Sequence, residues 1–257
     1  MKTMLNLKEI ASYQTEGMVI PAFRLDDDYV QHARDKTASF LADNPQLDAN
    51  YIPSLIERDR SWLELACDPG LLDCVSQIIG DDVILWGSAL FCKTAAGGKA
   101  TPWHQDGHYW PIRPLATCTV WIAFDHSTAE NGCMRYVPGS HLARELLPHD
   151  TDDNQAFTLN QVVSDIASAD AKGRDIVLEP GQFSIHDVYL IHGSQANNSH
   201  KRRGGLVLRF MPASSHFDRD LARRQVAEMG VVDISERELH LLRGHDRSGK
   251  NDVFKAA

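Results

Sequence analysis

His104 and Asp106 stand two residues apart in the stretch TPWHQDGHYW at 101–110. On an extended strand, positions i and i+2 leave from the same face, so an imidazole and a carboxylate would enter one cavity together. A second imidazole from a distant strand would complete a set of two histidines and one carboxylate with three open positions. That set suits non-haem Fe(II), whereas zinc usually takes three or four protein ligands. His192 follows the strand-like VYLI, precedes a glycine, and lies eleven residues ahead of Arg203. A buried guanidinium there would be a planar fork able to clamp a carboxylate through two parallel hydrogen bonds. Taken singly, the bland readings compete: the H-x-D as a surface pair, His192 as a satisfied core histidine, Arg203 as a solvated charge.

Among the rings beside the H-x-D, Trp110 is the first candidate for lining a substrate chamber, followed by Tyr109 and Tyr189, while Trp103 and Trp121 suit a core. Asn197 and Arg113 are candidates to meet an anionic group of the substrate. Lys93 is a further candidate anion contact, although a lysine ending a strand reads more simply as a solvated charge. His108 lies past a glycine, outside a metal's reach, and His186 has only its nearness to His192 in its favour.

The elements that must position these groups are legible in outline. A net charge of −9 gives the chain no reason to seek nucleic-acid backbones. Its 43% hydrophobic and 24% charged residues are ordinary for a globular chain. The N-terminal segment lacks a signal-peptide core, no run is apolar enough for a membrane helix, and five cysteines without a C-x-x-C suggest reduced thiols in a cytoplasmic protein. Cys67 and Cys74, seven apart, are expected on one helix face. Residues 5–17, 26–44 and 60–80 carry helical patterns, and GMVIPAF reads as a strand held to an edge or an end by Pro21. VILWGSALFCKT, ATCTVWIAFD, DIVLEPGQFSIHD and GGLVLRFMP read as strands and turns. Residues 144–172 are polar and irregular, an excursion or lid, and 218–243 return to charge-laced helix. Together these predict one α+β domain over 1–257: a helical N-terminal segment over 1–82, a double-sheet barrel or jelly-roll core at about 83–212, and a helical tail 213–257.

H-x-D, a distal His, then Arg eleven residues on resembles the phytanoyl-CoA dioxygenase family of Fe(II)/2-oxoglutarate oxygenases. LFCKTAAGGKATPWHQDGHYWPI, TVWIAFDHSTAENGCMRYVPGSH and HGSQANNSHKRRGGLVLRF are similar to three blocks of that family, in order, and the resemblance covers about 5–212. It implies a double-stranded β-helix (cupin-like) with flanking helices. It further implies His104, Asp106 and His192 as iron ligands, and Arg203 on the remote carboxylate of 2-oxoglutarate. Ser194 would add a hydroxyl there and Thr101 a further co-substrate contact. The implied reaction uses O2, hydroxylates an unactivated C–H bond, and releases succinate and CO2. Asp106 argues against the halogenating relatives, which replace this carboxylate.

The acidic surface suits a small polar metabolite, such as an aminoalkylphosphonate or similar zwitterion, better than an acyl-CoA. The alternatives are an acyl-type substrate, or a cupin-like isomerase or hydrolase with the same His/Asp/His set. The latter would have no need of Arg203 and Ser194. A silent binding protein would have no need of all three ligands.

Overall fold

The N-terminal helices form where side chains satisfy their exposed backbone ends. In the computed structural model, which describes residues 4–152, 154–229 and 231–255, helix α1 (Leu7–Glu16) opens on a capping box between Asn6 and Glu9. It stops at Gly17, whose φ of 86° an L side chain rarely adopts. Helix α2 (Asp27–Asp43) is capped by Asp26, with Asp27 and Asp28 at its positive end. Two short helices, α3 (Leu55–Arg58) and α4 (Leu63–Ala66), precede α5 (Pro69–Ile79), which starts with Asp68 as cap and Pro69 inside the first turn. Cys67 therefore ends α4 while Cys74 lies in α5, and the expected shared helix face is not formed. All five cysteines are free.

The strands follow in chain order: β1 (Met18–Val19), β2 (Ile52–Pro53), β3 (Val83–Lys93), β4 (Thr101–Gln105), β5 (Ile112–Arg113), β6 (Cys118–Ala123), β7 (Met134–Tyr136) and β8 (His149–Thr151). Then come β9 (Gln161–Val163), β10 (Arg174–Ile176), β11 (Phe183–Asp187), β12 (Ile191–Ser194), β13 (Arg203–Pro212), β14 (His216–Phe217), β15 (Leu239–Arg243) and β16 (Val253–Lys255). Helix α6 (Ile166–Lys172) precedes β10, and α7 (Arg219–Met229) precedes β15.

An eight-stranded sheet runs β1-β11-β6-β13-β3-β15-β16 with β2 also paired to β3, and a four-stranded sheet runs β10-β7-β12-β4. All these pairs are antiparallel except β15–β16. Period-two alternation divides the large sheet's faces. Leu206, Leu208 and Phe210 of β13 join Val120 and Ile122 of β6 and Phe183 and Ile185 of β11 in one apolar cluster with α2 to α5. Each of these fully buried side chains contributes roughly 1.5–3 kcal/mol. The opposite face carries Arg203, Val207, Arg209, Thr119, Trp121 and His186, which line a cavity of about 250 Å³ closed on its other side by residues of β4 and β12.

DIVLEPGQFSIHD forms strand, turn and strand as read, with β10 joined to β7 in the small sheet and β11 to β6 in the large one. Three expectations need correcting. Residues 144–172 are not structureless, since β8 and β9 form a hairpin there, α6 follows, and Val162, Val163 and Ala169 are buried. The tail 213–257 is helical only in α7, because β15 and β16 extend the large sheet. The N-terminal segment, residues 1–82, likewise contributes β1 and β2 to that sheet. Among the described residues, no helix is long and apolar enough to cross a membrane.

Candidate metal and co-substrate site

The antiparallel register of β4 and β12 sets His104 directly opposite His192, with ring centroids 4.2 Å apart. Asp106 does not extend the strand as the i, i+2 argument assumes. It opens a 3-10 turn, Asp106–Tyr109, immediately past β4, and still reaches the same cavity. All three side chains are buried, and one donor atom of each lies within 4.8 Å of the others.

The outer hydrogen bonds orient this set. His104 Nδ1 bonds the carbonyl of Pro102 at 2.8 Å and His192 Nδ1 that of Leu190 at 3.0 Å, so both leave Nε2 to the cavity. Thr119 Oγ1 donates to Asp106 Oδ2 at 2.8 Å, while Oδ1 lies 3.6 Å from His104 Nε2. Burial alone would raise the carboxyl of Asp106, but His104 and His186 outweigh it and hold the group well below its ordinary value. Burial, reinforced by His104 and His186, holds His192 well below the usual imidazole range and therefore neutral. Two imidazoles and one carboxylate oxygen, each with its other atom tied down, fit a divalent transition metal.

Arg203 is 2% exposed and packs over the Trp121 ring at 4.9 Å. Its Nε is buried without a partner, and burial pushes its guanidinium down to about 10. Directly across the strand pair stands Lys93, not solvated as its position at a strand end suggests but fully buried. It donates to Ser194 Oγ at 2.7 Å and to the carbonyl of Gln195. Among the described residues neither side chain is in an ion pair, and the guanidinium of Arg203, which lines the cavity, is left without a counter-charge. Ser194 and Thr101 line the same cavity, Thr101 bonded to Thr158 at 2.8 Å.

The structure also brings Trp110 and Tyr109 to the cavity, but not Tyr189, Asn197 or Arg113. Tyr189 packs under Arg144 at 4.3 Å. Asn197 is buried in a loop it ties together, donating to the carbonyls of Thr94 and Lys201. Arg113 turns back on the carbonyls of Trp110 and Ile112. Trp103 lies in a separate cluster with Val137, Val163 and Ile191, and Trp121, packed in a core cluster with Ala89, Met134 and Val207, also lines the cavity. Sequence reasoning undervalued His186, whose Nε2 is 3.6 Å from Asp106 Oδ2, and missed Thr119, Tyr51, Arg209 and Arg237 on the cavity wall. For Arg209 a signal existed: its even offset from Arg203 puts both on one face of a strand.

A strut beneath β4 carries a pH prediction. The backbone N–H of Gln105 donates to His149 Nε2 at 3.1 Å while Nδ1 bonds the Leu147 carbonyl at 2.8 Å. The bond accepted by Nε2 needs the neutral ring, and burial lowers His149 to about 4 although the Leu147 carbonyl works the other way. A depressed histidine costs stability below the unfolded value of about 6.5, because the unfolded chain then binds a proton that the folded one refuses. Stability is therefore expected to fall between about pH 6.5 and 4, with roughly 1–2 kcal/mol assignable to this ring after discounting for its partial exposure. Urea unfolding of His149→Gln across this range should show a shallower fall. An identical slope removes the assignment.

A buried two-histidine, one-carboxylate set facing a cavity whose inner end is an unpaired guanidinium defines the class: a non-haem metal centre with room for an acidic co-substrate. The family follows from comparison. The model for phytanoyl-CoA dioxygenase (PhyH) matches residues 1–205, and the chain belongs to that family of Fe(II)/2-oxoglutarate-dependent oxygenases. A peroxisomal phytanoyl-CoA dioxygenase of Bos taurus is 26% identical over 258 residues, covering 90% of this chain and 76% of the relative. A protein of Stutzerimonas stutzeri, described as a probable alpha-ketoglutarate-dependent hypophosphite dioxygenase, is 25% identical over 67% of this chain and spans 57% of its own length. Among solved structures, the apo form of the non-heme monooxygenase ThoJ shares the fold at a TM-score of 0.74 and 24% identity, covering 96% of this chain and 87% of the other. The cofactors that go with the family are Fe(II), 2-oxoglutarate and O2.

Proposed function

We propose that the chain is a hydroxylase of a small polar metabolite, an aminoalkylphosphonate or similar zwitterion, with His104, Asp106 and His192 holding Fe(II). In this reading Arg203, Ser194 and Thr101 hold 2-oxoglutarate, and Trp110 and Tyr109 wall the substrate side. The two sheets are the two halves of a double-stranded β-helix, with all of 1–257 serving one catalytic domain. The five free thiols accord with a reducing compartment such as the cytoplasm.

One observation carries the reading: a buried His/Asp/His set and an unpaired buried arginine share one cavity of about 250 Å³. That volume, just below the usual range for ligand sites, favours a small guest beside the co-substrate over a long acyl chain. The relative described as acting on hypophosphite supports a small anionic substrate as well.

Once bound, iron and co-substrate supply the oxidising chemistry, in which 2-oxoglutarate is converted to succinate and CO2 as a C–H bond becomes C–OH. The chain's own role is positioning. The carbonyls of Pro102 and Leu190 fix the two imidazoles, and Thr119 fixes which oxygen of Asp106 faces the metal. Arg203, over Trp121, sets the depth to which the co-substrate's remote carboxylate can reach. The lips at 159–161 and 231–234 narrow the mouth and limit water.

Mixed anaerobically with Fe(II) and 2-oxoglutarate, the protein is expected to develop the visible absorption of a metal-chelated 2-oxo acid. His104→Ala should abolish it through the metal, and Arg203→Ala through co-substrate affinity. Undiminished absorption in both variants would refute the assignment.

A further inference from the structure

The positive charge in the chamber is not exhausted at its co-substrate end. Strand β13 turns Arg203, Gly205, Val207 and Arg209 toward the same side, and six residues of strand place the two arginines roughly 20 Å apart along the chain. Arg209 stands opposite Thr119, the residue bonded to Asp106, so it flanks the metal end, away from Arg203.

A second guanidinium meets it there. Arg237 enters from the C-terminal segment, held by Glu57 at 3.2 Å and Ser54 at 2.8 Å. Gly87, paired with Arg209 across β3 and β13, leaves the space both need. A Cβ at that position would lie 3.0 Å from Arg237 Nη1 and 3.5 Å from Arg209 Cδ. Arg209 covers the Trp110 ring at 5.4 Å, but among the described residues it has no hydrogen bond or ion pair, and its Nε is buried without a partner. Glu57 answers one of the two charges and Asp106 is committed to the metal set, which leaves the half-buried Arg209 without an ion-pair partner among the described residues and with its Nε shut off from water. A polar group kept from water without a partner is costly unless a guest supplies one.

We infer that Arg209, with Arg237 beside it, forms a second anion site on the substrate side of the cavity, which binds the carboxylate, phosphonate or phosphate group of the primary substrate. The inference rests on the hydroxylase reading and gives it a substrate class. The substrate carries one oxyanion head, set against the Arg209 fork, and a short body lying along Trp110 and Ile234 toward the metal. The two arginines of β13 thus divide the labour: Arg203 takes the co-substrate's far carboxylate and Arg209 the substrate's acid group. Positioning of Asp106 alone would not require a free Nε or the empty place at Gly87.

Isothermal titration calorimetry on Fe(II)-loaded protein saturated with 2-oxoglutarate under argon tests this with three probes: propionate, methylphosphonate and the uncharged propionamide. One or both anions are expected to bind and the amide not, with the preferred anion telling a planar head from a tetrahedral one. Arg209→Gln should weaken that anion roughly tenfold or more. Arg209→Lys, which keeps the charge without the fork, should fall between, and it preserves the test should the glutamine variant fold poorly. Equal anion affinity in wild type and variants, or an amide bound as well as the anions, overturns the inference. Titrating 2-oxoglutarate into wild type and Arg203→Ala separates the two proposals. Failure there removes the hydroxylase reading, whereas failure of the probe series with intact, Arg203-dependent co-substrate binding removes only the second anion site.

Discussion

Asp106→Ala is expected to lower Fe(II) affinity by more than about a hundredfold and to abolish turnover. Loss of a mere hydrogen-bond partner to a metal ligand already costs about 10–100-fold, and this substitution removes the set's only anionic donor. Thr119→Val supplies that lesser case, because it deletes the 2.8 Å bond to Oδ2 and frees the carboxylate to rotate. Metal content after dialysis and the rate of substrate-dependent succinate formation should rank wild type above Thr119→Val above Asp106→Ala. If Asp106→Ala retained wild-type metal, another residue would have to be the third ligand. His186, 3.6 Å from the same carboxylate, would be the first to examine.

The second large effect concerns stability and co-substrate together. Burial, then the neighbouring charge of Arg203, lowers Lys93 to about 6, so its amine is mostly neutral in the folded protein at pH 7. A neutral amine has two hydrogens, and both have acceptors, Ser194 Oγ and the Gln195 carbonyl. Unfolding restores a lysine that titrates near 10.4 and binds a proton. The folded state is therefore penalised increasingly as pH falls from about 10 toward 6. Lys93→Met should thus stabilise the metal-free protein at pH 7 by roughly 1–3 kcal/mol, as when a buried charge is exchanged for an apolar chain of similar length. The gain should shrink toward about pH 10. The same variant should bind 2-oxoglutarate roughly tenfold more weakly, because an arriving dianion raises the amine's proton affinity and draws a proton onto it. Urea unfolding at both pH values and calorimetry in two buffers of different ionisation heat read these effects. Destabilisation at pH 7, or co-substrate binding without proton uptake, would contradict the account.

The candidate ligand set was legible because its chemistry sits in short spacings: Asp106 two positions after His104, and Arg203 eleven positions after His192. The helices were legible from their caps, as at Asn6, Asp26 and Asp68. The cavity wall was harder to read, since it is built from alternate residues of strands far apart in sequence, and only pairing brings Arg203 beside Lys93 or Arg209 beside Thr119. Sequence proximity to His192 misled for Tyr189 and Asn197, because the turns around β12 point those side chains into loop packing. The tail misled for another reason. β15, LHLLR, closes a charge-laced stretch read as helix, yet it becomes a strand because β3 offers it an open edge.

The family match ends at residue 205, two residues beyond Arg203, while Arg209, the lip at 231–234 and Arg237 all lie past it. What the family model describes thus finishes just past Arg203, and the groups proposed to meet the substrate lie in the remaining fifth of the polypeptide. Grafting that last portion between relatives would be a way to exchange tastes while leaving the oxidising engine untouched.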